Sequence, residues 1–441
     1  MDFYKYINKF FVYPLYYFKN GDKRLARLAE IEKNQYMDVE SLNKLTLSKV
    51  KEIVSYAYEN TQYYRELLDR NNLSPKDIEN VFDLEKIPPL TKSDIQMHGD
   101  QMLSDKYHKG ELIKDASGGS TGEPTIFYKD MAYQKLRPAD QLRHDRWCGW
   151  DLGDRFALIW GAQRDLKATQ SLREFIISRY IARIWELDAF EMSKPKMDAY
   201  VKTLEKIQPK MILGYANALV AFSEFLIKHY PDHLISPKGI VSSAETLTQS
   251  KRETIEKAFG CKVLNRYGSR EVGLIASECL QQTGLHINAD NVYVEVVKNG
   301  KAVPIGESGD ILVTDFSNKG MPLIRYNLGD VGRLSKEMCT CGRTLPLMES
   351  VEGRSGDFFV AADGSLVHGE YFTHLFYGIE GVIKFQMIQE SIADIHLKIV
   401  SKGQGLEEKY IQHIKHKTHE ILGKQCDINV KYVKDIPPTA S

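Results

Sequence analysis

Ser117-Gly118-Gly119-Ser120-Thr121-Gly122-Glu123-Pro124 mixes glycines with hydroxyl side chains. Glycine lets backbone N–H groups approach an anion closely, and hydroxyls add further donors, so such a segment suits the wrapping of phosphate oxygens. It lacks the Gly-Lys-[Ser/Thr] ending of a Walker A loop and the Gly-x-Gly-x-x-Gly spacing of a dinucleotide fold. On its own, a run of this composition also describes a flexible surface loop. The surrounding chain has to decide between the two.

Before the loop, apolar positions at helical spacing (Leu42, Leu45, Val50, Ile53, Val54, Ala57) make residues 1–90 a mostly helical lead-in, punctuated by Ile87-Pro88-Pro89. After it, short apolar runs (Phe156 to Trp160, Met211 to Leu213, Gly239 to Val241, Val263 to Leu264) are separated by helical stretches such as Leu219 to Lys228 and Gln249 to Phe259. That alternation predicts an α/β core. From Asn291 the period drops to two, through Val292 to Val296, a turn at Asn299-Gly300 and Ile311 to Val313, as antiparallel hairpins require. The last stretch predicts strands near Ile383 to Ile388 and Ile395 to Ile399, a helix from Leu406 to Leu422 and a strand near Ile428 to Val433. We expect an α/β protein with a large multi-subdomain domain over 1–353 and a small, mobile α+β domain over 354–441, joined at Gly353-Arg354-Ser355-Gly356-Asp357.

The 441 residues leave room for two to four structural units, and 43% apolar with 27% charged residues is a globular composition. Lys+Arg 59 balances Asp+Glu 59, which disfavours nucleic-acid binding by a bulk basic surface. Six cysteines in so long a chain do not make a disulfide framework, so a reducing, cytoplasmic setting is expected. Phe10 to Phe18 is too short, and interrupted by Pro14, to span a membrane, and the opening has no signal-peptide cleavage pattern. The aromatic stripe of Met1 to Asn20 reads first as a core-packing helix, with peripheral membrane contact as the alternative.

Three later segments bear on the loop: Tyr267-Gly268-Ser269-Arg270-Glu271, Arg325-Tyr326-Asn327-Leu328-Gly329-Asp330 and Gly353 to Asp357. In this order the four motifs resemble those of the adenylate-forming superfamily of acyl-CoA synthetases, adenylation domains and luciferase. The resemblance runs from about Ile87 onward. It is strongest to the phenylacetate–CoA ligase branch and its capsular-polysaccharide relatives, through Ser117 to Thr125, Met321-Pro322-Leu323-Ile324-Arg325-Tyr326 and Cys339-Thr340-Cys341-Gly342-Arg343.

The resemblance implies ATP-dependent adenylation of a carboxylic acid, then transfer of the acyl group, by default to coenzyme A. Acceptors such as an amino sugar or carrier protein, adenylyl transfer, and nucleotide binding without turnover are the alternatives. It places Ser117, Gly118, Gly119, Ser120, Thr121 and Gly122 on the phosphates, Ser243, Ala244, Glu245, Tyr267 and Gly268 around adenine, and Asp330 on the ribose hydroxyls. Glu271 would hold Mg²⁺, a hard ion that takes oxygen ligands. Arg354 would meet the nucleotide, Asp357 would be the hinge, and Trp160, Tyr215, Ala216 and Asn217 would line the acid's pocket. The family's lysine would fall just beyond Pro437-Pro438-Thr439-Ala440-Ser441. Independently, Cys279, His286, Cys339 and Cys341 offer three thiolates and an imidazole, a tetrahedral zinc set; the plain alternative is free thiols and a core histidine.

Overall fold

The computed structural model describes residues 2–116, 125–160, 172–189, 192, 194–354, 358–362, 366–368, 372, 375–376, 379, 381–403 and 405–436. They divide into two compact units, one of residues 1–115 and 127–352, the other of 116–126 and 353–441. The larger unit opens with a helical segment from Phe3 to Lys19, followed by helices Arg24–Asn34, Val39–Asn60 and Gln62–Arg70. The Asp38 carboxylate accepts from Ser41 N–H and so caps the second of these. A two-stranded ribbon of β1 (Ile113–Ala116) and β2 (Ile126–Lys129) follows.

The predicted α/β alternation becomes a parallel run: β3 (Phe156–Trp160), β4 (Ile184–Asp188), β5 (Met211–Tyr215), β6 (Gly239–Ser243) and β7 (Val263–Ser269). Its residues alternate between two cores. Ala157, Ile159, Ile212, Ile240 and Val263 pack with Val201, Leu219, Phe222 and Ile255 of helices Lys194–Ile207, Ala216–His229 and Gln249–Phe259. Phe156, Met211, Leu213, Val241 and Leu264 pack instead with Tyr13, Tyr17, Ile31 and Leu142. Coverage on both faces is what buries a parallel sheet, and it explains why its strands read as near-continuous apolar runs.

The period-two region does not form a separate layer. β8 (Gly273–Glu278), β9 (Leu285–Ile287), β10 (Val292–Lys298), β11 (Lys301–Ala302), β12 (Ser308–Asp315), β13 (Tyr326–Leu334) and β14 (Leu347–Arg354) continue the same sheet to twelve strands, in the order β11-β10-β12-β13-β14-β9-β8-β7-β6-β5-β3-β4. Asn299 and Gly300 both have positive φ (52° and 77°), as a tight hairpin demands, but the hairpin joins β10 to the two-residue β11, and β12 follows after a further loop. The strand β14 runs through Gly353 and Arg354, two residues that read from sequence as linker. The smaller unit contains β15 (Phe358–Val360), β16 (Leu366–His368), β17 (Val382–Ser391), β18 (Asp394–Ser401), helix Glu408–Leu422 and β19 (Asp427–Tyr432). Its own core is built on Ile395, Leu397, Ile399, Ile414 and Leu422. Cys148 and Cys426 are buried, whereas Cys261 is partly exposed. No helix among the described residues is long and apolar enough to cross a membrane.

Candidate active site

Trp160, Tyr215 and Ser243 are the last residues of β3, β5 and β6, and register pairs Tyr215 with Ser243 and Ser243 with Arg266. At this end of the strands the Tyr215 ring packs against the core that holds Ala157, Ile159 and Ile212. The carboxyl ends of parallel strands are where an open α/β sheet leaves a crevice for ligands. Here the Trp160 and Tyr215 rings stack at 4.0 Å between centroids and 27° between planes, forming a flat aromatic wall.

The helix Ala216–His229 starts directly after β5, so Ala216 and Asn217 occupy its first turn. The Asn217 N–H donates to Glu245 Oε2 at 2.7 Å, tying the loop after β6 to the end of β5. Between them, Ala244 holds φ of +68°. A residue with a Cβ costs about 1 kcal/mol or more in this left-handed region, so the loop is held there by its surroundings. The Ser243 hydroxyl donates to Arg266 O at 3.3 Å.

β7 extends past β6, carrying Tyr267, Gly268 and Ser269 into the crevice, and β8 returns antiparallel with a bulge between Tyr267 and Gly268. A Cβ on Gly268 would lie 2.5 Å from the Gly273 carbonyl oxygen, so the turn closes only with glycine there. The Tyr267 hydroxyl donates to Asp330 Oδ2 at 2.7 Å, across 63 residues of chain. Glu271, in the β7–β8 turn, is buried, and its Oε1 accepts from the Tyr326 hydroxyl at 3.2 Å. The preceding residue, Arg325, is fully buried at φ +53°, clamped by the Glu295 carboxylate and the carbonyls of Ile87 and Gly300. That clamp fixes where β13 begins and therefore where Tyr326 and Asp330 stand.

The structure thus brings together Trp160, Tyr215, Ala216, Asn217, Ser243, Ala244, Glu245, Tyr267, Gly268, Glu271 and Asp330. Ser117 to Gly122, Asp357, Pro437 to Ser441 and the side chain of Arg354 lie outside the described residues. Reading the sequence passes over the role of Tyr326 and over the flanks of the glycine-rich segment. There the buried Lys129 ammonium sits 2.6 Å from Asp115, whose other oxygen is 4.0 Å from Arg270. Burial pushes the Lys129 ammonium below its usual range, with the nearby Arg137 guanidinium adding to the effect and Asp115 opposing it. A lysine and an aspartate bracketing a Gly/Ser/Thr run were the available signal.

The second cluster forms as well. The ligating atoms of Cys279, His286, Cys339 and Cys341 all lie within 4.8 Å of one another. Cys279 Sγ stands 3.6 Å from Cys339 Sγ, and Cys341 Sγ 3.4 Å from His286 Nε2. Ligands at tetrahedral angles around zinc stand about 3.5 to 3.8 Å apart, given bonds of about 2.0 to 2.3 Å, so these two pairs stand close to that spacing. Burial lowers His286 to about 4, which leaves the imidazole neutral, the form that binds a metal. Burial also pushes the Cys279 thiol up to about 12. Trp147, Leu345 and Leu347 pack around the group as a small core.

Residues 359–441 match the CapK C-terminal domain family. Protein CapK of Staphylococcus aureus is 27% identical over 405 residues, 90% of this chain and 87% of that one. The phenylacetate-coenzyme A ligase of Thermus thermophilus is 26% identical over 336 residues, 73% and 72% of the two chains. Among solved structures, 2-hydroxyisobutyryl-CoA ligase in complex with 2-HIB-AMP and CoA in its thioesterification state superposes with a TM-score of 0.66 at 19% identity, over 93% of this chain and 90% of that one.

Proposed function

We propose that this chain, a homologue of CapK and of the phenylacetate-coenzyme A ligases on the adenylate-forming ligase fold, is an AMP-forming ligase that activates a carboxylic acid and passes the acyl group to coenzyme A. In the first step a carboxylate oxygen attacks the α-phosphorus of ATP and pyrophosphate leaves. In the second the coenzyme A thiol attacks the acyl carbon and AMP leaves. The observation that carries the proposal is the convergence of Trp160 and Tyr215, Ser243 to Glu245, Tyr267 with Asp330, and Glu271 at the carboxyl ends of β3, β5, β6 and β7.

Each group has a task there. Asp330, oriented by the Tyr267 hydroxyl, accepts hydrogen bonds from the ribose hydroxyls. The loop at Ser243 to Glu245 and the backbone at Tyr267-Gly268 border the adenine. The stacked Trp160 and Tyr215 rings form an apolar wall for the acid, beside Ala216 and Asn217. The buried Glu271 carboxylate, steadied by Tyr326, offers the hard oxygen donor that suits Mg²⁺. Such an ion, when bound, neutralises charge between two anions that otherwise repel. By the family resemblance, Ser117 to Gly122 meet the phosphates, Arg354 meets the nucleotide and Asp357 is the hinge of the small C-terminal domain. The thiols of Cys279, Cys339 and Cys341 with His286 fit a closed structural zinc site, since four protein donors leave no position for substrate. An amine on a sugar or a carrier protein is the alternative acceptor class, which the acceptor arm of the test below distinguishes from coenzyme A.

The test is carboxylate-dependent ATP–pyrophosphate exchange across aryl and aliphatic acids, followed by AMP release with coenzyme A or amines as acceptor. Glu271→Gln is expected to keep the fold and lose exchange by at least about tenfold, or about 1.4 kcal/mol of transition-state stabilisation. The proposal fails if no acid supports exchange, and the role of Glu271 fails if the variant stays within about twofold of wild type.

A further inference from the structure

The first helix packs only part of its aromatic stripe into the core. It runs from Phe3 through Lys19 as α-helix, a π-helical turn at Asn8–Val12, and α-helix again. Pro14 has no N–H to offer, and the wider turn, with Tyr13 N–H bonded to Asn8 O, absorbs the missing bond. One extra residue in that turn shifts the helical phase. Asn8, Tyr13 and Tyr17 therefore share the inward side at steps of five and four, and Tyr13 and Tyr17 join the core under the parallel strands. Asn8 Nδ2 donates to the carbonyls of Tyr180 and Ile181, Lys5 pairs with Asp154 at 2.8 Å, and Asp2 with Arg183 at 2.7 Å. The helix is thus fixed to the body by one side.

The outward side is apolar and in solvent. Phe3, Ile7, Phe10, Phe11, Leu15 and Phe18 are all exposed, Phe11 at 70% and Phe18 at 83%. Apart from Lys19 and Asn20, every exposed side chain between Asp2 and Asn20 is aromatic or large and apolar. A contiguous stripe of this kind marks an interaction surface, since scattered single apolar residues are the normal case. Charge selects the partner. From Phe3 to Gly21 there is no acidic residue; of the lysines, Lys5 and Lys9 are paired with Asp154 and Asp151 of the body, whereas Lys19, at the end of the helix, and Lys23, just beyond it, are exposed. An aromatic face edged by cations and free of anions complements a surface that is apolar below and anionic above, as a bilayer with acidic headgroups is. The helix is preformed, so docking orders no flexible segment.

We propose that this face lies in the headgroup region of an anionic lipid bilayer and holds the protein at the membrane surface without spanning it. The expected orientation puts Phe10, Phe11 and Phe18 at the level of the upper acyl chains and Lys19 and Lys23 among the headgroups.

The test is co-sedimentation of the full chain with vesicles of phosphatidylglycerol and phosphatidylcholine in equal parts, against phosphatidylcholine alone. Wild type is expected to sediment with the anionic vesicles, less so as salt is raised, and the double variant Phe11→Glu, Phe18→Glu to lose at least about tenfold in partitioning. Both side chains are exposed, so melting temperature and ATP–pyrophosphate exchange in the variant should match wild type and certify its fold. Three results would overturn the proposal: no wild-type sedimentation above the vesicle-free control, equal binding to the neutral vesicles, or undiminished binding by the variant. A wild-type dimer that the same variant converts to monomer, with no vesicle binding, would assign the face to a second copy of the chain instead.

Discussion

If Asp330 holds the ribose as proposed, Tyr267 positions it, and its ring and hydroxyl have separable tasks. Tyr267→Phe keeps the ring at the end of β7 and deletes the 2.7 Å bond to Asp330. A hydrogen bond to a charged group is worth about 1.5 to 3 kcal/mol, part of which orientation by the strand retains. KM for ATP is therefore expected to rise about 3- to 10-fold with kcat changed less, a split that steady-state kinetics reads directly. A different residue governs stability against pH. Asp140 is buried beside Arg143 and Asp290 and accepts from Asn291 Nδ2; burial raises its carboxyl to about 7 despite the pull of Arg143. With the folded value above the unfolded one of about 3.9, the favourable contribution is full below about pH 4 and is lost as pH climbs to about 7. Asp140→Asn removes that loss, so the variant should gain about 1 to 3 kcal/mol relative to wild type between pH 5 and pH 8 in thermal melts. A difference that stays constant across that range would show that Asp140 does not titrate there.

At the level of elements, the loop after β8, β9 itself and the loop between β13 and β14 are brought together by Cys279, His286, Cys339 and Cys341. Purified protein is expected to carry about one zinc per chain. Cys341→Ser should lower metal content and cut the melting temperature by several degrees, the scale of about 2 kcal/mol, while exchange activity is less affected because none of these residues is among the groups proposed to meet the nucleotide. Elemental analysis without metal after chelator-free purification would refute the site. The neighbouring turn carries the opposite kind of constraint: Gly268 and the +79° φ of Gly273 give the β7–β8 return its tightness, and that return puts Glu271 within reach of Tyr326.

Across the whole molecule, each unit has its own core, so calorimetry is expected to resolve two transitions. Leu397, fully buried in β18, is the probe: Leu397→Ala should cost about 2 to 5 kcal/mol and move one transition only. A single transition shifted as one would mean that the units unfold together. By itself the sequence determined the element types and the identity of the motif-bearing residues. Period two and period 3.6 are local consequences of which side of an element meets a core, and the order of Tyr267-Gly268, Glu271 and Asp330 along the chain needs no fold to be read. Only the tertiary structure decided partners and exposure. The bonds of Tyr267 to Asp330 and of Tyr326 to Glu271 join residues 63 and 55 positions apart, and the merging of hairpins and parallel strands into one twelve-stranded sheet sets those distances. The same holds for the first helix, whose stripe reads as core. A periodic apolar face states that burial is favourable, but which side is covered depends on the π-turn's change of phase and on where the rest of the chain stands, and these placed Tyr13 and Tyr17 inside and the phenylalanines in solvent.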